Sequence, residues 1–148
     1  MKDMNEDSRF QAAVDYLSGY SGVIGAVVAD GEGLEVACSP RAMKDGELFA
    51  ASGIEIFNII DKSVFRIMEP GCGYISIKTG SRWLTIAAAL NLFLVVLADR
   101  KADDLLNVRI QRALDMITTN LKEKYPAEVY STEPAAVTDE NKMEATHV

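Results

Sequence analysis

The side chains able to do acid–base, nucleophilic or metal chemistry are few in this sequence and lie far apart. The single histidine, His147, is next to last in the 148 residues. A histidine general base, a Ser/His/Asp triad and an HExxH zinc site therefore each lack their central residue. Cys38 and Cys72 form no CxxC pair and read as small buried apolar residues, not reactive thiols. No GxxxxGK run is present to cradle phosphates. Gly19, Gly22 and Gly25 have a loop-like spacing, but they precede an apolar strand instead of joining a strand to a helix, so they read as turn and packing glycines. Asp30, Glu32 and Asp61 fall among turns and helix faces, where solvated surface is the default. Tyr74 and Trp83 could stack a ligand, yet at strand positions large aromatics pack. No catalytic residue, metal site or cofactor is expected, which leaves recognition by a surface.

Charge and composition narrow the partners. The chain carries a net charge of −7, with 49% hydrophobic and 25% charged residues, as expected of a folded globular chain. Between Pro126 and Val148 five carboxylates (Glu128, Glu133, Asp139, Glu140, Glu144) face one base, Lys142, so most of the excess sits in the last stretch. That stretch has no hydrophobic period, and 126–148 reads as an acidic, disordered tail beyond one domain over 8–125. Without a basic stripe, nucleic acid and anionic membrane are poor partners. The longest apolar run, Trp83 to Ala98, is 16 residues with Thr85 and Asn91 inside it. A membrane helix needs about 20, so the run reads as two buried strands. The start MKDMNEDSRF lacks the apolar stretch of a signal peptide, and a cytoplasmic protein with reduced thiols is expected.

The elements follow from hydrophobic period and turn chemistry. Phe10, Ala13, Val14 and Leu17 recur at helical spacing after Ser8, a candidate N-cap, which predicts a short first helix. Val23 to Ala29 is apolar throughout and predicts a central strand, and Asp30-Gly31-Glu32-Gly33 turns it into an antiparallel partner over Leu34 to Cys38. From Lys44 to Met68 a long helix is predicted, with Phe49, Gly53, Ile56, Ile60, Val64 and Ile67 on one face. Glu55, Asn58, Lys62 and Arg66 fall opposite, while Leu48, Ile54, Ile59 and Phe65 lie outside the main stripe. Gly73 to Thr79 alternates with period two, as an edge strand does. Arg82 to Ala88 and Leu92 to Leu97 supply two more strands around a reversal near Ala89 to Asn91. A last helix opens at Asp103 and Asp104 with the stripe Leu106, Ile110, Ala113, Ile117 and Leu121, and Lys122 and Lys124 suit its dipole. The order is α-β-β-α-β-β-β-α, an α/β chain of the α+β type with helices on both faces of one sheet.

The apolar arc of the long helix is wider than one sheet contact needs, and the neighbouring strand is an open edge. Both are interface features, and a second copy can satisfy both by pairing the edges while the long helices pack across the twofold axis; the alternative is that Lys78 and Arg82 guard the edge as solubilising charges. Ile54, Phe65 and the strand residues Tyr74, Ile75, Ser76, Ile77 and Lys78 are the residues expected at such a homodimer interface.

The run Gly22-Val23-Ile24-Gly25-Ala26-Val27-Val28-Ala29-Asp30-Gly31-Glu32-Gly33-Leu34, the long helix after it, Trp83-Leu84-Thr85-Ile86-Ala87 and Phe93-Leu94-Val95-Val96-Leu97-Ala98 together resemble a roadblock/LC7 domain from about Phe10 to Tyr125. The resemblance implies a five-stranded antiparallel sheet in the order 2-1-5-4-3 and a dimer through the third strand and the long helix. It also implies a scaffold or regulator instead of an enzyme, and prokaryotic members of this size resemble activating partners of Ras-like small GTPases. On that basis the chain is expected to be a homodimeric, non-catalytic platform for a Ras-like small GTPase, with Leu48, Glu55, Ile59, Lys62 and Arg66 as its docking surface. Arg66 and Arg82 are also placed where an arginine finger could stand. The alternative is a structural adaptor, as in the dynein light chains, that never touches a GTPase. A small-ligand sensor on a profilin- or PAS-like sheet is a third reading, and the closely apolar strands leave it little room for a polar cavity.

Overall fold

The computed structural model describes residues 4–39, 44–100, 102 and 104–124. Helix α1 spans Met4–Ser18, strands β1 and β2 Val23–Asp30 and Glu35–Cys38, and helix α2 Gly46–Ile67. Strands β3, β4 and β5 follow at Tyr74–Lys78, Arg82–Ala89 and Leu92–Asp99, and α3 closes the domain at Leu105–Lys124. The element order is the expected one, and the strands form one antiparallel sheet in the order β2-β1-β5-β4-β3. The first helix starts at Met4, a turn before Ser8, so Ser8 lies inside α1 and is not its cap. The acidic segment 126–148 and the opening Asp103 of the last helix lie outside the described residues.

The two strands that are apolar on both sides, β1 and β5, lie in the interior of the sheet, because only there are both faces covered. Alternation sends Leu92, Leu94, Val96 and Ala98 of β5 to one face, where they pack with α1 and α3 through Phe10, Val14, Leu17, Leu106, Ile110 and Ile117. Phe93 and Val95 turn the other way to α2, and the Phe57 and Phe93 rings meet at 4.8 Å between centroids. Strands β1, β4 and β5 thus distribute their apolar side chains between the two faces of the sheet.

The hairpin between β1 and β2 turns on the Asp30 carboxylate, which accepts from the backbone N–H groups of Glu32 at 2.9 Å and Leu34 at 3.0 Å. This Asx arrangement replaces backbone bonds that a turn leaves unmade. Gly33 follows at φ +86°, a conformation that a side chain would disfavour. The β4–β5 turn is tighter, with Ala89 opposite Leu92, and it holds Leu90 at φ 59°.

The contact of α2 with the sheet departs from the expected stripe. Its buried residues are Gly46, Ala50, Gly53, Ile54 and Phe57, whereas Phe49, Ile56, Ile60 and Val64 are only half-buried and Ile67 is exposed. The smallest residues set the closest approach: a Cβ on Gly53 would stand 2.8 Å from Val95 Cγ2. The helix is therefore rotated so that glycine and alanine face the sheet, and the bulky stripe becomes a flank.

Candidate interaction surface

That rotation decides which side chains of α2 are free. Stepping 100° per residue, Leu48, Glu55, Ile59, Lys62 and Arg66 fall in one arc opposite Ala50, Gly53, Ile54 and Phe57. All five are exposed, Leu48 at 61% and Ile59 at 60%. Arg66 Nη2 donates to Ser63 Oγ at 3.5 Å, a contact loose enough to leave the guanidinium available. The stripe expected to dock a partner is thus assembled by one helix, with two aliphatic side chains among one acid and two bases.

The residues expected at a dimer interface are spread more widely. Tyr74, Ser76 and Lys78 are exposed on one face of β3, with Ile75 and Ile77 turned toward α2. Ile54 is 4% exposed and packs with Val27, Ala29, Cys38 and Ala50, so it is a core residue and has almost no surface for a partner. The reason is the rotation of α2, which puts Ile54 beneath the helix. Phe65 is 61% exposed but lies on the far flank of α2 from the groove described below.

Strand β3 has a described neighbour on one side only. Side chains tie it to β4 and to α3. Trp83 Nε1 donates to Ser76 Oγ at 2.7 Å, and Lys78 Nζ sits 4.3 Å from the Trp83 ring centroid. Tyr74 donates its hydroxyl to Asn107 Oδ1 at 2.9 Å, and burial raises the phenol's pKa. Trp83 and Tyr74 are therefore used for packing and for bracing the edge, as their strand positions implied. Arg82 is exposed at the start of β4, where Nη1 donates to the Ser81 carbonyl at 3.3 Å.

Between α2 and the sheet lies a groove of about 290 Å³ that the sequence did not reveal. Its walls are Leu48, Phe49, Ser52, Gly53 and Ile56 of α2, and its floor is Leu84, Val95 and Leu97. The signal for it was the glycine at 53: a helix that touches the sheet through its smallest residues leaves its larger ones overhanging. Among the described residues no group of three or more His, Cys, Asp or Glu could hold a metal ion. Cys38 is buried, with its thiol pushed up to about 11, mainly by burial and then by its hydrogen bond with Glu35 and the charge of that residue. No described helix is long and apolar enough to cross a membrane.

Five antiparallel strands in the order 2-1-5-4-3, with α2 on one face and α1 and α3 on the other, make this the roadblock/LC7 fold. Among solved structures the chain is similar to MglB of Myxococcus xanthus at a TM-score of 0.74 and 18% identity, covering 83% of this chain and 94% of that one. It is similar to a roadblock/LC7 domain from Streptomyces avermitilis at a TM-score of 0.70 and 18% identity, over 75% of this chain and 96% of that one. An MglB solved in a tetrameric arrangement superposes at a TM-score of 0.72 with 13% identity, over 81% of this chain and 93% of that one. Neither a protein-family model nor a curated protein matches the chain.

Proposed function

We propose that the chain is a homodimeric, non-catalytic regulator of a Ras-like small GTPase and that it docks the GTPase on the outward stripe of α2. The observation that carries this reading is the stripe itself: Leu48, Glu55, Ile59, Lys62 and Arg66 face away from the sheet, and the described core uses none of them. Charged side chains around two aliphatic ones fit a partner whose docking face is mixed, with the aliphatic pair supplying affinity and the charges orientation. The resemblance to roadblock/LC7 domains supplies the kind of partner, and the tetrameric MglB supports self-association in this fold.

A GTPase holds its switch segments in order only while the γ-phosphate is present. A platform that binds the ordered form better shifts the population toward it, and acceleration of hydrolysis then works through the GTPase's own catalytic groups. In this mechanism Lys62 and Arg66 position the partner and supply no reacting group.

The test is capture on the immobilised protein in GDP and, separately, in a non-hydrolysable GTP analogue, followed by single-turnover hydrolysis with the captured GTPase. Capture with the analogue alone, and faster hydrolysis, is the expected result. The same set of subunits captured in both nucleotides would make the chain an adaptor and overturn the regulator.

A further inference from the structure

We infer that the acidic segment following α3 folds back into the cleft between α1 and α3, setting Glu128 and Glu133 on Arg9 and Arg112 with the apolar pair Val129-Tyr130 between them. The cleft lies on the opposite face of the sheet from the α2 stripe, so its occupancy is independent of the GTPase reading. The Arg109 guanidinium sits over the rings of Tyr16 and Tyr20, 5.7 and 4.5 Å from their centroids, and two turns further along α3 Met116 and Thr119 meet Arg9 and Ala12. The two helices are therefore antiparallel, and the end of α3 stands beside the start of α1. Between them the cleft opens to about 460 Å³. Ala12 and Met116 give it an apolar lining, and each wall carries a guanidinium, Arg9 from α1 and Arg112 from α3, both exposed. Asp115 lines it too, but by the 100° step Asp115 and Gln111 turn away from Met116, and Gln111 Nε2 donates to the Asp115 carboxylate at 3.5 Å. Among the described residues none accepts a hydrogen bond from Arg112, and the several donors of a guanidinium let Arg9 take a further acceptor beside the contact it has.

The segment after Lys124 has the matching chemistry and the reach. Between Pro126 and Val148 five carboxylates face one base, and in Glu128-Val129-Tyr130-Ser131-Thr132-Glu133 two acids bracket an apolar pair. The carboxylates suit the bidentate fork of arginine, while Val129 and Tyr130 cover the Ala12 and Met116 lining. Helix α3 ends at Lys124, which lies beyond Thr119 and Arg112 by about 8 and 18 Å at a rise of about 1.5 Å per residue. An extended chain spans about 13 Å from Lys124 to Glu128 and about 30 Å to Glu133. Pro126 disfavours a helical Tyr125, so the chain leaves the axis of α3 there. Returning along the cleft, Glu128 comes level with Thr119 and Arg9, and Glu133 reaches Arg112 with length to spare. So short a tether holds the segment at an effective concentration on the order of millimolar, and contacts too weak to retain a free peptide suffice. Lys62 and Arg66 also form a pair of exposed cations, but they lie across the sheet and share their stripe with Glu55.

Amide hydrogen exchange of the peptides covering 126–137, read by mass spectrometry on the full chain, tests this. In low salt these amides are expected to exchange at least about tenfold more slowly than an unstructured chain of the same sequence, and the protection should fade as salt rises. Arg112→Glu and, separately, Glu133→Lys are each expected to return the peptides to the unstructured rate. Arg112→Glu/Glu133→Lys, which exchanges the two charges, should restore part of the protection. Arg112 is exposed and Glu133 lies outside the domain's core, so neither change disturbs the fold. Unstructured rates in wild type would overturn the inference, as would protection that persists in both single variants. Protection lost instead in Lys62→Glu/Arg66→Glu would put the segment on the α2 stripe, and protection that disappears on dilution would put it on another copy; either result would overturn the fold-back.

Discussion

Cys38 and Gly53 show how single residues record the packing around them. The Cys38 thiol has an ordinary pKa of 9.0, and burial followed by its neighbour Glu35 raises it to about 11. The folded chain therefore holds a proton that the unfolded chain has already lost above 9.0, and folding stability must fall as pH rises in that window. The contribution is complete below 9.0 and is lost as pH passes through about 11. Urea midpoints measured across this range should decline more steeply in wild type than in Cys38→Ala, and parallel curves would show that the thiol is not shielded. Reading Cys38 as a small buried residue was possible from the sequence because nothing near it offers nucleophile chemistry. The burial of Ile54 was not legible, for a different reason. A 100° step gives the angles between residues but not which angle faces the sheet. The largest side chains do not mark the centre of a contact when Gly53 and Ala50 permit a closer one.

At the scale of the element, the proposed homodimer turns on β3, the strand at the edge of the sheet. Its alternation was legible from Tyr74 to Lys78, and so was its place beside β4, since Gly80-Ser81 joins the two by a tight turn. The direction of each backbone group was not, because it depends on which residues exchange hydrogen bonds with β4. With Ser76 turned outward, Ser76→Pro removes an N–H that the β3–β4 ladder does not use, and proline is tolerated at such an edge position. The variant should run as a monomer. It also removes the acceptor of the Trp83 indole, so Ser76→Ala serves as control: it should lose about 1 kcal/mol of stability and keep the dimer. Dimeric Ser76→Pro would show that the copies do not meet at β3.

Across the whole molecule, the order of elements, the strand order and the division of helices between two faces were legible because each rests on hydrophobic period: two for the strands, near 3.6 for α1, α2 and α3. Two strands apolar on both sides had to be interior, and β1 and β5 are. The groove was not legible, since its volume comes from how α2 is rotated over β4 and β5 and not from any motif. What the rotation leaves outward is the stripe Leu48, Glu55, Ile59, Lys62 and Arg66, with Leu48 also at the lip of the groove. The most direct test of the account is a binding isotherm of the captured GTPase, loaded with the non-hydrolysable GTP analogue or with GDP, against wild type and the Ile59→Ala/Lys62→Ala double variant at dimeric concentration. Saturable binding of the analogue form alone, weakened at least about tenfold in the double variant while its dimer mass is unchanged, is the predicted result. Equal affinity for both nucleotide forms, or an affinity the double variant leaves intact, would contradict it.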